Sequence, residues 1–203
     1  MFVQKDIENL KKEVSLMARK AESILDKALV ALETKDSSLV EEIKNMDKDL
    51  DTFEINLDAH CAELLALKDP YAIDFRFIFS VIKTTRDLER VGDESKTVGK
   101  WSLKLKGNAD AELLDLGKKA KASLNTAITS LINLDTEMAE RVSDLEEEVD
   151  AIEDHILASD PDLARAFIAK AFERISDMAT NIAENVIFCV KAEDIRHGGM
   201  KKI

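Results

Sequence analysis

The chain has 203 residues, 45% of them hydrophobic and 34% charged, with a formal net charge of −12. That length supports a substantial core in one domain or two small ones, while the acidic balance disfavours a sequence-independent nucleic-acid binder. Two Pro, six Gly and only 5% aromatics, in a background of many Ala, Leu, Glu and Lys, predict an all-α protein with little or no sheet.

The opening Met1-Phe2-Val3-Gln4-Lys5-Asp6 lacks the apolar core of a secretory leader, and no apolar run reaches the roughly 18 residues of a membrane span. The expectation is a cytoplasmic protein that meets a membrane only through partners. Cys61 and Cys189 stand alone, without CxxC spacing, and read as reduced, buried thiols.

In chain order, Val14, Ala18, Ala21, Leu25, Ala28 and Leu32 alternate steps of four and three, which predicts a first long helix ending near Lys35. Asp36, Ser37 and Ser38 offer caps for a second. Its stripe is Ile43, Met46, Leu50, Phe53, Leu57 and Leu64, and Asp69-Pro70 turns the chain. A third helix takes Ile73, Ile78, Ile82, Leu88 and Gly92 to about Trp101. Trp101 itself reads as core filling, with packing between bundles as the alternative. The segment Lys104-Leu105-Lys106-Gly107-Asn108 breaks the pattern, and Asp110 can cap a fourth helix.

The sequence then restarts at an offset of 99. Leu25, Leu32, Asp36 and Ile43 recur as Leu124, Leu131, Asp135 and Val142. Asp47, Leu50, Asp51 and Glu54 recur as Glu146, Val149, Asp150 and Glu153. The prediction is two tandem, pseudo-symmetric three-helix bundles, 1–106 and 107–203. The second hairpin is shorter by 8 residues before its turn and 7 after it, about two helical turns on each arm. Trimming both arms equally keeps their facing register.

The candidate site lies on those hairpins. Four pairs of carboxylates are spaced i,i+4, each on one face of a helix. They are Asp47/Asp51 with Glu89/Asp93 in the first bundle, and Glu146/Asp150 with Glu173/Asp177 in the second. The pairs are expected beside the apolar seam, at one level across antiparallel helices. Converging carboxylates repel unless they are protonated or bridged by a cation. Oxygen donors suit hard cations: iron, manganese and magnesium, with zinc tolerated. The alternative is that these acids pair with Arg86, Arg90, Arg174 and nearby lysines on a solvated face.

Catalysis is not expected. None of His60, His155 and His197 completes the Glu-x-x-His of a ferritin-like oxidase. No nucleophile triad or Gly-rich phosphate loop is visible, and no base or oxyanion donor accompanies the acids as a phosphohydrolase would need.

Asp87-Leu88-Glu89-Arg90-Val91-Gly92-Asp93 resembles the D-L-E-R-I-G-D signature of the PhoU family of phosphate-transport regulators. Glu173-Arg174-Ile175-Ser176-Asp177-Met178-Ala179-Thr180-Asn181-Ile182-Ala183-Glu184 is similar to its second copy. Asp69-Pro70-Tyr71-Ala72-Ile73-Asp74-Phe75-Arg76 resembles Q-P-x-A-x-D-L-R, and Glu193-Asp194-Ile195-Arg196-His197 resembles the closing G-E-D-x-R-H. The resemblance spans about Val14 to His197.

It implies two bundles that hold metal through the eight paired carboxylates. It also implies a non-catalytic adaptor between the ATPase subunit of a phosphate ABC transporter and a sensor histidine kinase, keeping uptake and the starvation response off when phosphate is plentiful. A homodimer stays open. So do a related role at another transporter and a metal-buffering or purely structural helical protein.

Overall fold

The computed structural model describes residues 2–159, 161–194 and 201–202. The described residues form α1 (Phe2–Thr34), α2 (Ser37–Leu67), α3 (Ala72–Ser102), α4 (Ala111–Asn133), α5 (Thr136–Ala158) and α6 (Leu163–Lys191). A two-residue antiparallel pair comes after them: β1 (Glu193–Asp194) and β2 (Lys201–Lys202), with Glu193 opposite Lys202. Of the closing motif, Ile195, Arg196 and His197 lie outside the described residues.

Aspartates start α2, α4, α5 and α6, whereas α3 starts at Tyr71 without a side-chain cap. Asp36, Asp110, Asp135 and Asp162 accept hydrogen bonds from the backbone N–H groups of Ser38, Leu113, Met138 and Arg165. Each satisfies one of the first-turn donors that a helix cannot bond internally. Helices α1, α2 and α3 pack pairwise into one bundle and α4, α5 and α6 into a second. The stripe of α1 is buried along its length, from Val14 and Ala18 to Ala28 and Leu32. Cys61 and Cys189 are free, buried thiols, and burial pushes them up to about 12 and about 11, respectively.

The shortening of the second hairpin is visible in the helices. From its start to the acid at the first pair position, α5 matches α2 (Thr136 to Glu146, Ser37 to Asp47), but α2 runs 31 residues and α5 only 23. The surplus length gives the first hairpin an apolar tip, where Leu67 is 70% exposed and Tyr71 81%. Ile73, expected on the buried stripe of α3, is 49% exposed there. The tip is nonetheless tied to α1, whose Asp6 pairs with Lys68 at 3.2 Å.

The bundles join through α3 against α6 and α1 against α4. Helix α3 runs antiparallel to α6. The Arg76 Nε donates to the Cys189 carbonyl at 2.8 Å, and the Ser80 hydroxyl to the Asn185 carbonyl at 3.0 Å. At the far end Trp101 stacks on Phe167, centroids 4.4 Å apart and rings within 7° of parallel. Trp101 is therefore a packing anchor between the bundles, because the end of α3 lies against the start of α6. Gly117 brings α4 close: a Cβ there would stand 2.6 Å from Leu29 Cδ2 and 2.7 Å from Phe172 Cζ.

Candidate functional site

Asp47 sits one residue past Met46 on α2, and the structure places it in the seam rather than beside it. It is 3% exposed, whereas Met46 is only partly buried. Two features of α3 make this tolerable. Gly92 faces Asp47 without a side chain; a Cβ there would lie 2.9 Å from Asp47 Oδ1 and 2.8 Å from Leu50 Cδ2. One turn on, the Lys96 ammonium reaches across to Asp47 Oδ2 at 2.5 Å and to Asp93 Oδ1 at 2.6 Å. A buried carboxylate is expensive unless a charge of opposite sign meets it, and Lys96 supplies that charge. Asp47 Oδ1 still has no hydrogen-bond partner.

The first cluster therefore brings Asp47 and Asp93 to one ammonium, with Glu89 and Asp51 nearby. Glu89 is pushed up to about 7, first by burial and then by Asp93, Glu54, Asp51 and Asp47. Burial likewise raises Asp47. For Lys96, burial works against the charge, but the hydrogen bonds to Asp47 and Asp93 outweigh it and hold its pKa above the ordinary lysine value.

The second cluster has the same layout, with Glu146 in the place of Asp47, and a different internal cation. Asp177 is pushed up to about 6, by burial first and then by Glu173, Glu146 and Asp150. Glu146 and Asp150 are also raised, in each case chiefly by burial. Here the ammonium belongs to Lys170, one turn before Glu173. It lies 3.1 Å from Glu153 Oε1 and 3.4 Å from Glu173 Oε1.

Sequence reasoning left Glu153 and Glu54 outside the site. Glu153 is 3% exposed, and Glu54 is one of the carboxylates that raise Glu89. Each stands seven residues after Asp47 or Glu146, so it returns to nearly the same face of the helix. That spacing was the available signal.

The two clusters are neighbours. Asp93 and Asp177 line a common cleft between α3 and α6 with Arg90, Glu94 and Arg174. The Arg174 guanidinium donates to Glu94 Oε1 at 3.1 Å. Arg174 is thus a tie between bundles instead of a partner for its own cluster. Asp87, from the same motif, lines a neighbouring cleft between α3 and α6 with Asn181. It is buried, accepts from the Asn181 amide at 3.5 Å, and is pushed by burial up to about 6.

Among the described residues, no three His, Cys, Asp or Glu side chains are placed to hold a metal ion as they stand. Lysine ammonium groups occupy both clusters instead. The donors are nonetheless what a hard cation takes: carboxylate oxygens, among them the buried and unpartnered Asp47 Oδ1 packed against Gly92. His60 and His155 are engaged elsewhere, by Glu13 at 2.7 Å and Glu112 at 2.5 Å.

The class defined by this fold and site is an acidic helical protein of two tandem bundles, each with a carboxylate cluster between its hairpin helices. The family model described as the PhoU domain matches residues 14–102 and 113–186, once in each bundle. The chain belongs to the PhoU family.

It is 27% identical to the phosphate-specific transport system accessory protein PhoU homolog of Pseudomonas putida, over 98% of this chain and 84% of that one. It is 30% identical to the homolog from a Burkholderia species, over 95% and 90%. The crystal structure of PhoU from Pseudomonas aeruginosa superposes with a TM-score of 0.88 at 26% identity, covering 93% of this chain and 99% of that one. No helix among the described residues is long and apolar enough to cross a membrane.

Proposed function

We propose that this chain is an accessory and regulatory protein of phosphate transport that acts by binding rather than by catalysis. Docked on the cytoplasmic side to the ATPase subunit of a phosphate ABC transporter and to a sensor histidine kinase, it would hold uptake and starvation signalling down when phosphate is plentiful. The observation that carries this reading is the PhoU match in both bundles, on relatives named for the phosphate-specific transport system.

In the same reading Asp47, Asp51, Glu89 and Asp93 hold one cation site. Glu146, Asp150, Glu173 and Asp177 hold the other, with iron, manganese or zinc as the candidate ions and magnesium also admitted. A bound di- or trivalent ion would neutralise repelling carboxylates and tie the two helices of each hairpin together. The acidic surface favours a partner with a basic patch, by charge complementarity. The exposed tip around Leu67 and Tyr71 offers an apolar contact beside it.

The test is retention of transporter subunits from solubilised membranes on the immobilised, metal-loaded chain. The phosphate transporter ATPase should be retained at low salt, and its retention should fall at least about tenfold between roughly 50 and 500 mM salt as screening sets in. Retention of a different transporter's ATPase would reassign the chain to that system. Retention of no transporter subunit would refute the adaptor role.

A further inference from the structure

We propose that Lys96 is a built-in competitor of metal at the first carboxylate cluster, so that the first cluster takes up divalent cations only when the lysine swings out. This rests on the carboxylate sites proposed above and names what regulates them. The Lys96 ammonium contacts one carboxylate from each hairpin helix, Asp47 on α2 and Asp93 on α3. It thereby makes the cross-helix bridge that a metal ion would make. Asp47 Oδ1, buried and unpartnered, is a donor that this ammonium leaves unused. A divalent ion has both the charge and the coordination number to take it.

The two clusters are not equivalent in this respect. Lys96 stands three residues after Asp93, and the same place after Asp177 is Thr180, which carries no charge. Lys170 stands three residues before Glu173, where the first copy has Arg86. The second cluster's lysine therefore engages Glu153 and Glu173 rather than Glu146, Asp150 or Asp177. Of its four paired acids only Glu173 is held directly by that ammonium, which acts on Asp150 and Asp177 from farther off. The structure thus orders the sites: the second cluster loads first, and the first opens at higher metal concentration.

A tethered ammonium lowers apparent metal affinity by the fraction of time it leaves the site free. A lysine stem can move aside, since its four carbons are flexible. If Lys96 vacates the cluster about a tenth of the time, its removal tightens binding about tenfold.

The experiment is Mn²⁺ titration of chelator-treated protein, followed calorimetrically and by the EPR signal of free Mn²⁺. The proteins compared are wild type, Lys96→Met, Lys96→Gln, and Lys96→Met combined with Asp93→Asn. Lys96→Gln keeps an amide donor beside Asp47 in case the methionine variant does not fold, and circular dichroism verifies both. The expected result is a weaker class of Mn²⁺ site that tightens about tenfold or more in the lysine variants and is lost again with Asp93→Asn. Wild-type binding that is unchanged or weaker in folded Lys96 variants overturns the competitor role while leaving the carboxylate sites standing. No Mn²⁺ bound by any of the four proteins overturns both.

Discussion

Truncating Phe172 to alanine should lower folding stability by about 3–5 kcal/mol, the range for removing a fully buried aromatic side chain. Phe172 is 0% exposed and among the largest fully buried side chains. Its ring fills the space that Gly117 leaves open between α4 and α6, so no neighbour can collapse into the void without a backbone shift. The buried apolar side chains form one contiguous cluster through both bundles, so unfolding in urea should remain a single transition, shifted to lower denaturant. Phe172→Leu, which leaves a smaller hole, should lose less. A change under about 1 kcal/mol for the alanine variant, or a split into two transitions with one unmoved, contradicts this packing.

The second large effect is on pH. Glu89 is pushed up from 4.5 to about 7, Asp87 from 3.8 to about 6, and Asp177 from 3.8 to about 6. A carboxylate whose folded pKa is raised holds its proton in the native state while the unfolded chain has already lost it. The contribution of these three groups to stability is therefore most favourable below the ordinary values of 3.8 and 4.5, falls as pH rises, and has finished falling above about 7.

With solvent screening allowed for at Glu89 and Asp177, which unlike Asp87 are not buried, each of those two contributes about 1 kcal/mol, or about 2–4 °C in a chain of this size. Chelator-treated protein should thus melt several degrees higher at about pH 5 than at about pH 8. A divalent cation bound by the clusters should raise the melting point most at the higher pH, because only ionised carboxylates ligate. Melting that is higher at the alkaline end without metal would contradict the crowding of charge on these helices.

Much of this was legible in the residues. Aspartate caps, the stripe of α1 and the 99-residue offset are local, periodic signals, and they set the six helices and their pairing. Counting residues from Asp51 and Asp150 to their turns was enough to show that the second hairpin is trimmed. The errors share one cause, which is tertiary contact that periodicity does not encode.

Met46 read as seam and Asp47 as its border, because an acid is not expected inside. Only the missing side chain at Gly92 and the reach of Lys96 make Asp47 the buried one. Ile73 read as buried because it is apolar, yet at the start of α3 it is 49% exposed. Lys96 and Lys170 were invisible as site residues, since where a flexible lysine stem ends depends on the partners around it. The common cleft of Asp93 and Asp177 depends on the antiparallel seating of α3 against α6, which neither repeat contains by itself.

The most direct test of the carboxylate clusters as metal sites is elemental analysis of tag-free protein beside the double variant Asp93→Asn/Asp177→Asn. Stoichiometric iron, manganese or zinc in the wild type, lost from a variant that stays folded, is the expected result. Wild-type protein that is metal-free, stays folded and refuses added metal would contradict it. The carboxylate pairs would then be acids without a metal, Asp47 and Asp93 balanced by Lys96 and Glu173 by Lys170.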